Sequence, residues 1–418
     1  MYIVILAINN QKIYLYLNIF VQFFPNIKEI TFYFKKLLAL LGAKYDSIFY
    51  KEKRKALTMA KKIFKSLLII IIAILLLIIG YFAYVLISYH RIEDNQPLEI
   101  TGTPQYKSIN TSVDYRIVSA NLGFGAYSAD YSFFMDGGSE SWAYSKEAVK
   151  ENITGSTDNI YSLNPDIILL QEVDLNSTRS YHVDEEQLIL DRLASKNFKN
   201  TCYTFAINYD SPFLMYPLTQ PHGKSLAGLL TLSTFDISDS IRRQLPIEEG
   251  LSKLIDLDRC YSKNIIPVAN GKNLVIYNVH LSAYTTDEST ATEQVIMLNE
   301  DMTKELIAGN YIIAGGDMNK DVLGNSSEYF GTESTENWAQ PFPEECLSDN
   351  LSLIGPLDKD NPVASCRNAD SAYTENSFVI TIDGFIVSNN ITVQKASVLD
   401  TGFMYSDHNP VYMDFVLN

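Results

Sequence analysis

Cysteine and histidine are both scarce in this sequence. The 418 residues include four cysteines and five histidines, and no two cysteines have the C-x-x-C spacing that is typical of zinc sites. The sequence therefore argues against a structural zinc centre. An even number of cysteines in an oxidising compartment is compatible with one or two disulfides. Sequence alone leaves open the pairing of Cys202, Cys260, Cys346 and Cys366.

Basic residues are scarce beyond residue 88. Residues 1–88 contain 12 Lys and Arg against 3 Asp and Glu, whereas residues 89–418 contain 21 against 46, a net charge of −25. Proteins that bind nucleic acid without sequence preference rely on Lys and Arg contacts to the phosphates. The charge therefore disfavours a nuclease, although it does not exclude a local basic patch.

Charged residues are absent from one long stretch, residues 67–88. Its 22 residues are enough to cross a hydrocarbon core of about 30 Å. Lys and Arg are concentrated before it, so the positive-inside rule predicts a cytoplasmic N-terminus and an extracellular position for residues 89–418. A cleaved signal peptide is the alternative. The apolar run exceeds the usual signal-peptide core of about 7–15 residues and lacks a small-residue cleavage site, which favours an uncleaved membrane anchor.

We divide the chain into four segments. Residues 1–66 form a basic cytoplasmic segment, 67–88 a transmembrane helix, 89–113 a polar linker and 114–418 one domain without internal repeats. The sequence Met-Ala-Lys-Lys at Met59 would make a conventional start for a signal anchor. Residues 1–58 are therefore either a poorly ordered extension or not part of the natural product. We expect a monomer.

Short apolar runs in residues 114–418 repeatedly end in polar residues. The run at 311–314 leads through Gly315 and Gly316 to Asp317 and Asn319, whose side chains point the same way on an extended segment. Comparable runs lead to or border Asn121, Glu172, His280, Asp383 and the Asp407-His408 pair. The strand–helix–strand order at the start of the domain predicts a layered α/β fold. We also predict that strands at 228–233 and 263–268 are antiparallel neighbours.

The polar residues at these run ends favour a hard metal ion. They supply carboxylate and amide oxygens and two histidines, a set that suits Mg²⁺, Mn²⁺ or Ca²⁺ better than a soft metal. In layered α/β folds, such residues gather at one end of the sheets. A hard cation beside His and Asp suits the hydrolysis of phosphate esters.

Six motifs in this order resemble the endonuclease/exonuclease/phosphatase superfamily. They are SANLG (119–123), LLQEVD (169–174), YNVHLSA (277–283), GGDMN (315–319), IDGF (382–385) and SDHNPV (406–411). Together they span essentially all of residues 114–418. The resemblance implies a four-layered α/β sandwich, in which two packed, mainly antiparallel or mixed sheets are flanked by helices, here preceded by one transmembrane helix.

The resemblance also implies a divalent metal site. By motif, Asn121, Glu172 and Asp407 correspond to metal ligands, with Glu172 as the principal one. Mg²⁺ is the expected ion, with Mn²⁺ or Ca²⁺ as alternatives. The sequence leaves open whether one or two ions bind.

Five further residues take catalytic roles by the same resemblance. His408 corresponds to the base that removes a proton from the attacking water, and Asp383 orients it. Asp317 either polarises the nucleophile or protonates the leaving group, so it competes with His408 for the role of general base. Asn319 would hold the scissile phosphate. His280 would stabilise the pentavalent intermediate or act as a general acid.

Residues outside the motifs give weaker indications of substrate contacts. Arg179 and Lys224 are candidates to bind the substrate phosphate, although solvated loop charges are the alternative. Asn208 lies in a segment that we expect to border the cleft, so we count it with Arg179 and Asn319 as substrate-binding.

The sequence thus predicts a membrane-anchored, extracellular, metal-dependent phosphoric ester hydrolase. The substrate would be a lipid headgroup, a small phosphodiester or phosphomonoester, or nucleic acid. A surface nuclease is one alternative. A catalytically inactive binding or scaffold domain is the alternative from another functional class.

Overall fold

The computed structural model describes residues 32, 47–198, 200–248, 250, 253, 257–283, 289–334 and 336–418. Most of the predicted N-terminal extension, residues 1–31 and 33–46, lies outside the described residues. The chain divides into two compact units, Met1–Ala83 and Tyr84–Asn418. The sheets and the candidate site belong to the second unit.

The described helices and strands are numbered in chain order. They are α1 (Ser47–Ser88), β1 (Gln96–Pro97), β2 (Thr101–Gly102), β3 (Asp114–Asn121), α2 (Lys146–Ser162), β4 (Ile167–Asp174), α3 (Glu185–Ser195), β5 (Cys202–Asp210), β6 (Leu226–Ser233), β7 (Asp239–Gln244), β8 (Cys260–Pro267), β9 (Asn273–His280), α4 (Ser289–Ile307), β10 (Tyr311–Asp317), α5 (Ser327–Phe330), β11 (Leu351–Ile354), β12 (Cys366–Arg367), β13 (Val379–Ile380), β14 (Asp383–Ser388), β15 (Ile391–Val398) and β16 (Val411–Leu417).

Helix α1 contains the predicted membrane segment. Within it, Lys53–Ser88 is long and apolar enough to cross a membrane, with a mean hydropathy of 3.0 in its most apolar window. From residue 67 to residue 88 the helix has no charged residue, and apolar side chains lie on all of its faces instead of forming one stripe.

Two large sheets form the centre of the domain. In the described part of the chain, one has the strand order β1-β7-β8-β9-β10-β14-β11 and the other β15-β16-β3-β4-β6-β5-β2. Most neighbours are antiparallel, but β3 pairs in parallel with β4 and β9 with β10. A helix connects the two strands of each parallel pair, as such crossovers require.

Three apolar clusters separate four layers. Between the sheets, Ile117 and Leu169 on one side pack in the same cluster as Ile276 and Ile313 on the other. The outer face of the first sheet meets α4, and the outer face of the second meets α2 and α3. Side chains alternate between the faces of a strand, so one strand supplies both a central and an outer cluster. The predicted four-layered sandwich is confirmed.

The strands at 228–233 and 263–268 are not neighbours, so that prediction was wrong. Strand β6 pairs with β4 and β5, whereas β8 pairs with β7 and β9 in the other sheet. Both runs are apolar and β-forming, and this local character does not specify in which of two stacked sheets a strand lies.

Residues 89–113 contribute to the folded domain. Strand β1 pairs with β7 and strand β2 with β5, while Ile109 is buried in the central cluster. Arg91 also forms an ion pair with Asp258, with 2.7 Å between Nε and Oδ1. The segment that we predicted to be a linker therefore packs on the sheets. The four cysteines are all unpaired, so the disulfides that the even count allowed do not form.

Candidate active site

Strand register aligns three of the predicted catalytic residues. In the first sheet, Asp317 lies opposite His280 on β9 and opposite Asp383 on β14. The three side chains come from three adjacent strands at the same level of the sheet. In the second sheet, Asn121 at the end of β3 lies opposite Gln171 on β4. The two sheets thus bring their polar ends to the same edge of the sandwich.

A β-bulge places Glu172 at this edge. The pairing of β4 with β6 shifts between Leu170 and Val173, and Glu172 has a positive φ of 53°. A positive φ is uncommon for a residue other than glycine, and such strained residues are concentrated at functional sites. Glu172 accepts a hydrogen bond from Asn121, with 3.2 Å between Nδ2 and Oε1.

The turn after β10 fixes Asp317 and Asn319. The backbone N–H of Asn319, whose φ is 46°, donates to Oδ1 of Asp317 at 2.9 Å. Its side-chain amide donates to the carbonyl of Leu281 at 2.8 Å. Gly316 precedes this turn with a φ of 147°, and a Cβ there would lie 1.9 Å from the carbonyl oxygen of Val279. Glycine is therefore required for β10 to approach β9 this closely.

His408 is held by a buried carboxylate. Its Nδ1 lies 2.7 Å from Oδ2 of Asp383, and this oxygen also accepts a hydrogen bond from Oγ of Ser365 at 2.7 Å. On the other side of the ring, Nε2 lies 3.8 Å from Oδ2 of Asp317 and 3.6 Å from Sγ of Cys366. One nitrogen is thus oriented by Asp383, while the other lies near Asp317.

One pocket, open to solvent, is lined by most of these side chains. Seven of the eight predicted residues that belong to the motifs line it: Asn121, Glu172, His280, Asp317, Asn319, Asp407 and His408. The eighth, Asp383, lies behind His408 and does not line the pocket. The seven come from five separate segments of the sequence, which therefore converge here.

The Asn121, Glu172 and Asp407 positions have the chemistry of a hard-cation site. Asn121 bonds to Glu172 and, through Nδ2 at 3.0 Å, to Asp317. Oγ of Ser406 connects the carbonyl of Asn121 (2.9 Å) to Asp407 (3.3 Å). The atoms of these three residues that could bind a metal are oxygens. Asn121 has an amide oxygen, and Glu172 and Asp407 have carboxylate oxygens in a largely buried space. They fit Mg²⁺, Mn²⁺ or Ca²⁺.

Burial shifts the titration of the carboxyl groups in the pocket. It raises the pKa of Asp317 to about 7, although His408 favours the charged form. It also raises the pKa of Asp407 to about 6, again opposed by His408. Burying several carboxylates together is costly unless positive charge accompanies them. A cation bound among these carboxyl groups would offset this cost.

Burial acts on the histidines in the opposite direction. It lowers the pKa of His280 well below its usual value, with a further contribution from Arg259, so this ring is neutral at pH 7. Burial also disfavours the charged form of His408, but the carboxylate of Asp383 outweighs it and raises the pKa of His408 well above its usual value. The two histidines are therefore suited to different roles.

Arg179 lies in the pocket wall but is already paired. Its Nη2 and Nε donate to the two carboxylate oxygens of Asp174 at 2.8 and 3.1 Å. The guanidinium also stacks on Phe124, 3.9 Å from the ring centroid. Arg179 therefore brings positive charge to the pocket from a fixed position. Arg179 is therefore not the solvated loop charge that the sequence left open as the alternative.

Two other predicted contacts lie outside the pocket lining. Asn208 is fully buried, and both atoms of its side-chain amide lack a hydrogen-bond partner among the described residues. Lys224 is exposed, with its Nζ 3.9 Å from Asp210. Asn208 lies within strand β5 and Lys224 in the loop before β6, and the sequence did not indicate which way either side chain points.

Sequence reasoning missed several residues of the pocket wall. Arg259, Cys366 and Arg367 line it. The Arg367 guanidinium donates to four backbone carbonyls, those of Ser128, Tyr131, Asn368 and Ser371. These residues lie outside the six motifs and follow no apolar run that ends in a polar residue. The sequence therefore carried no signal for them.

Comparison with known proteins identifies the family of the chain. The model of the Endonuclease/Exonuclease/phosphatase family matches residues 118–408. The chain belongs to this family. As its name states, the family contains endonucleases, exonucleases and phosphatases, which are phosphoester hydrolases. No curated protein significantly matches the chain.

The chain is similar to several solved structures at low sequence identity. The endonuclease/exonuclease/phosphatase of Beutenbergia cavernae DSM 12333 is 16% identical, with a TM-score of 0.48, over 73% of this chain and 72% of that one. The family member from Bacteroides vulgatus is 15% identical, with a TM-score of 0.45, over 73% and 100%. The human Nocturnin catalytic domain, solved with a bound sulfate anion, is 18% identical, with a TM-score of 0.45, over 77% and 98%.

Proposed function

We propose that this protein is a divalent-metal-dependent hydrolase that cleaves phosphodiester or phosphomonoester bonds by attack of water. The observation that carries the proposal is the convergence of seven motif side chains on one pocket, with His408 fixed by Asp383 behind it. An inactive scaffold would not need a buried, partly unpaired set of acids and histidines, because such groups reduce stability.

His408 acts as the base in this proposal. In its neutral form, His408 donates a hydrogen bond from Nδ1 to the carboxylate of Asp383, and Nε2 takes a proton from the attacking water. Asp383 raises the pKa of His408, and a divalent cation bound nearby would lower that pKa and favour the neutral form. Asp317 lies 3.8 Å from Nε2 of His408 and 3.5 Å from Nε2 of His280. It is therefore within reach of the same phosphate group and passes a proton to the leaving oxygen.

Asn319 and His280 bind the reacting phosphate. The Asn319 amide is held by the carbonyl of Leu281, and this contact fixes its direction. His280 is neutral, and its Nδ1 has no hydrogen-bond partner among the described residues. A neutral imidazole is a hydrogen-bond donor at one nitrogen. We assign His280 to stabilising the negative charge that develops on the phosphate oxygens.

Asn121, Glu172 and Asp407 would hold the cation. When bound, a divalent cation neutralises charge on the phosphate and lowers the pKa of nearby water. Arg179 adds a fixed positive charge to the wall. All of these roles are proposals for residues of this chain.

The test is hydrolysis by the full chain, purified in detergent, with Mg²⁺, Mn²⁺ or Ca²⁺ and with or without a chelator. Bis-p-nitrophenyl phosphate, plasmid DNA, sphingomyelin and inositol phosphates form the substrate panel. We expect metal-dependent turnover of at least one of them. His408→Ala should abolish it, whereas His182→Ala, which removes an exposed histidine, should not. Equal turnover by the His408→Ala variant and the wild type would refute the mechanism.

We also propose that residues 67–88 anchor the domain outside the cell. The length and hydropathy of Lys53–Ser88, which includes them, support the anchor, and the basic residues before Leu67 support the orientation. Protease added to intact cells should degrade the domain and leave an N-terminal tag protected. Protection of the domain together with loss of the tag would contradict the orientation.

A further inference from the structure

A second cleft adjoins the catalytic pocket. It is open to solvent and lined by Phe134, Met135, Tyr209, Leu214, Tyr216 and His222. Three of these residues, Met135, Tyr209 and His222, also line the catalytic pocket. The two spaces are therefore adjacent. A group attached to a phosphate in the pocket would lie close to the cleft.

The walls of this cleft are apolar and mostly aromatic. The rings of Phe134 and Tyr216 pack with centroids 5.6 Å apart, and those of Tyr209 and His222 with centroids 6.3 Å apart. Burial lowers the pKa of His222 to about 3, so the histidine is uncharged at neutral pH. Its Nδ1 has no hydrogen-bond partner among the described residues. The cleft thus has flat apolar walls, and Nδ1 of the buried His222 ring is its one buried side-chain polar atom without a partner among the described residues.

The loop that forms one side of the cleft is firmly held. Leu214 and Gly223 exchange two backbone hydrogen bonds of 3.0 Å, which close the loop on itself. The indole of Trp142 donates to the carbonyl of Pro221 at 2.8 Å, and the backbone N–H of Ser141 donates to the side chain of Gln220 at 2.9 Å. The cleft is therefore preformed, which reduces the entropic cost of binding a ligand.

Large apolar side chains around the cleft are exposed to solvent. Tyr216 is 63% exposed, Met135 42% and Leu218, on the same loop, 80%. Exposed apolar residues are ordinary when they are scattered, but a group beside a pocket is typical of a binding surface. A ligand that occupies the cleft would cover part of this surface.

We propose that the cleft binds a flat apolar group, about the size of an aromatic ring, that is attached to the phosphate of the substrate. This inference rests on the proposed function, because the phosphate must lie in the catalytic pocket. Offset or edge-to-face packing against Phe134, Tyr209 and Tyr216 would orient the ring. The cleft would select among phosphate esters according to the group beside the phosphate.

The test compares two small phosphonates that carry the same charged group. Binding of methylphosphonate and phenylphosphonate to the full chain in lipid nanodiscs is measured by calorimetry in the presence of Mn²⁺. We expect the phenyl compound to bind about tenfold more tightly, because its ring removes apolar surface from water. Tyr216→Ala should reduce this preference to about threefold or less. Since Tyr216 is largely exposed, we expect the variant to fold.

A second variant, Leu214→Ala, alters the inner wall of the cleft and tests the same preference for phenylphosphonate. Its binding is compared only if its thermal unfolding matches that of the wild type. Leu218→Ala is the matched control, because Leu218 lies on the same loop and lines neither space. It should keep the tenfold preference. Equal affinities of the wild type for both phosphonates would overturn the inference and leave the proposed function intact. If neither phosphonate binds, the result contradicts the proposed phosphate site and also the inference that rests on it.

Hexylphosphonate distinguishes a flat ring from a flexible chain. It exposes a comparable apolar area but cannot stack on the aromatic walls. We expect it to bind more weakly than phenylphosphonate. Tighter binding of the hexyl compound would contradict a ring-binding cleft and would point to an alkyl chain instead.

Discussion

Nδ1 of His408 lies 2.7 Å from Oδ2 of Asp383. Asp383 begins β14 in the first sheet, whereas His408 lies in the segment between β15 and β16 of the second sheet. Ser365 donates a hydrogen bond to the same carboxylate oxygen, and its Oγ accepts from the backbone N–H groups of Ile382 and Asp383. The carboxylate therefore has a fixed position behind the ring. It determines which nitrogen of His408 faces the pocket.

Asp383→Asn should lower kcat by about 10²- to 10⁴-fold, because an amide no longer fixes the ring in the required tautomer. The KM should change little, since Asp383 does not line the pocket. Steady-state kinetics on the best substrate of the panel provides the measurement. Ser365→Ala is the graded control and should cost about tenfold or less, because the contact between Asp383 and His408 remains. A normal kcat for Asp383→Asn would exclude the proposed base.

Glu172→Gln should raise the metal concentration that gives half-maximal activity by roughly ten- to a hundredfold. The substitution keeps the shape of the side chain but removes a negative charge, on which affinity for a hard cation depends. Titration of activity with Mg²⁺ or Mn²⁺ measures the effect. Glu151→Gln removes an exposed carboxylate from α2 and should leave the titration unchanged. An unchanged titration for Glu172→Gln would argue against Glu172 as a ligand.

Gly316→Ala should destabilise the domain by about 3 kcal/mol or more. The added Cβ would meet the carbonyl oxygen of Val279 at 1.9 Å, and the φ of 147° is unfavourable for alanine. Urea unfolding monitored by fluorescence measures the loss. Gly315→Ala meets only the side chains of Phe385 and Leu169, so it should cost less. The reverse order of the two variants would contradict this account of the close approach of β10 to β9.

Protonation of His222 should reduce stability as the pH falls. The folded-state pKa of about 3 lies below the ordinary value of 6.5. The contribution of His222 is therefore complete above pH 6.5 and declines as the pH falls from 6.5 towards 3. At the low end the loss reaches at most about 5 kcal/mol.

The variant His222→Gln measures this contribution, because glutamine does not titrate. We expect the difference in unfolding free energy between wild type and variant to shrink, or to reverse in sign, between pH 7 and pH 4. Thermal or urea unfolding at several pH values gives the two curves. Parallel curves across this range would show that His222 does not titrate in the way the burial of its ring implies.

The sequence determined the local elements of this protein and the identity of its motifs. Apolar runs indicated the central strands, but not β7 (Asp239–Gln244) or β15 (Ile391–Val398), which are largely polar. The uncharged stretch at 67–88 lies within one long helix. The six motifs were sufficient for the family and the four-layered fold, both now confirmed. The convergence of seven motif side chains on one pocket also agrees with the prediction, because polar strand ends meet wherever a sheet edge brings them together.

Only the tertiary structure determined where the residues outside the motifs lie in space. It pairs Arg179 with Asp174, buries Asn208 away from the pocket, and brings Arg259 and Arg367 into the wall. It also packs residues 89–113 on the sheets, keeps the cysteines apart, and forms the cleft beside Tyr216. Each of these features depends on distances between segments that are far apart in the chain. Periodicity and local composition report which face of an element is apolar, but they contain no information about which distant side chain that face will meet.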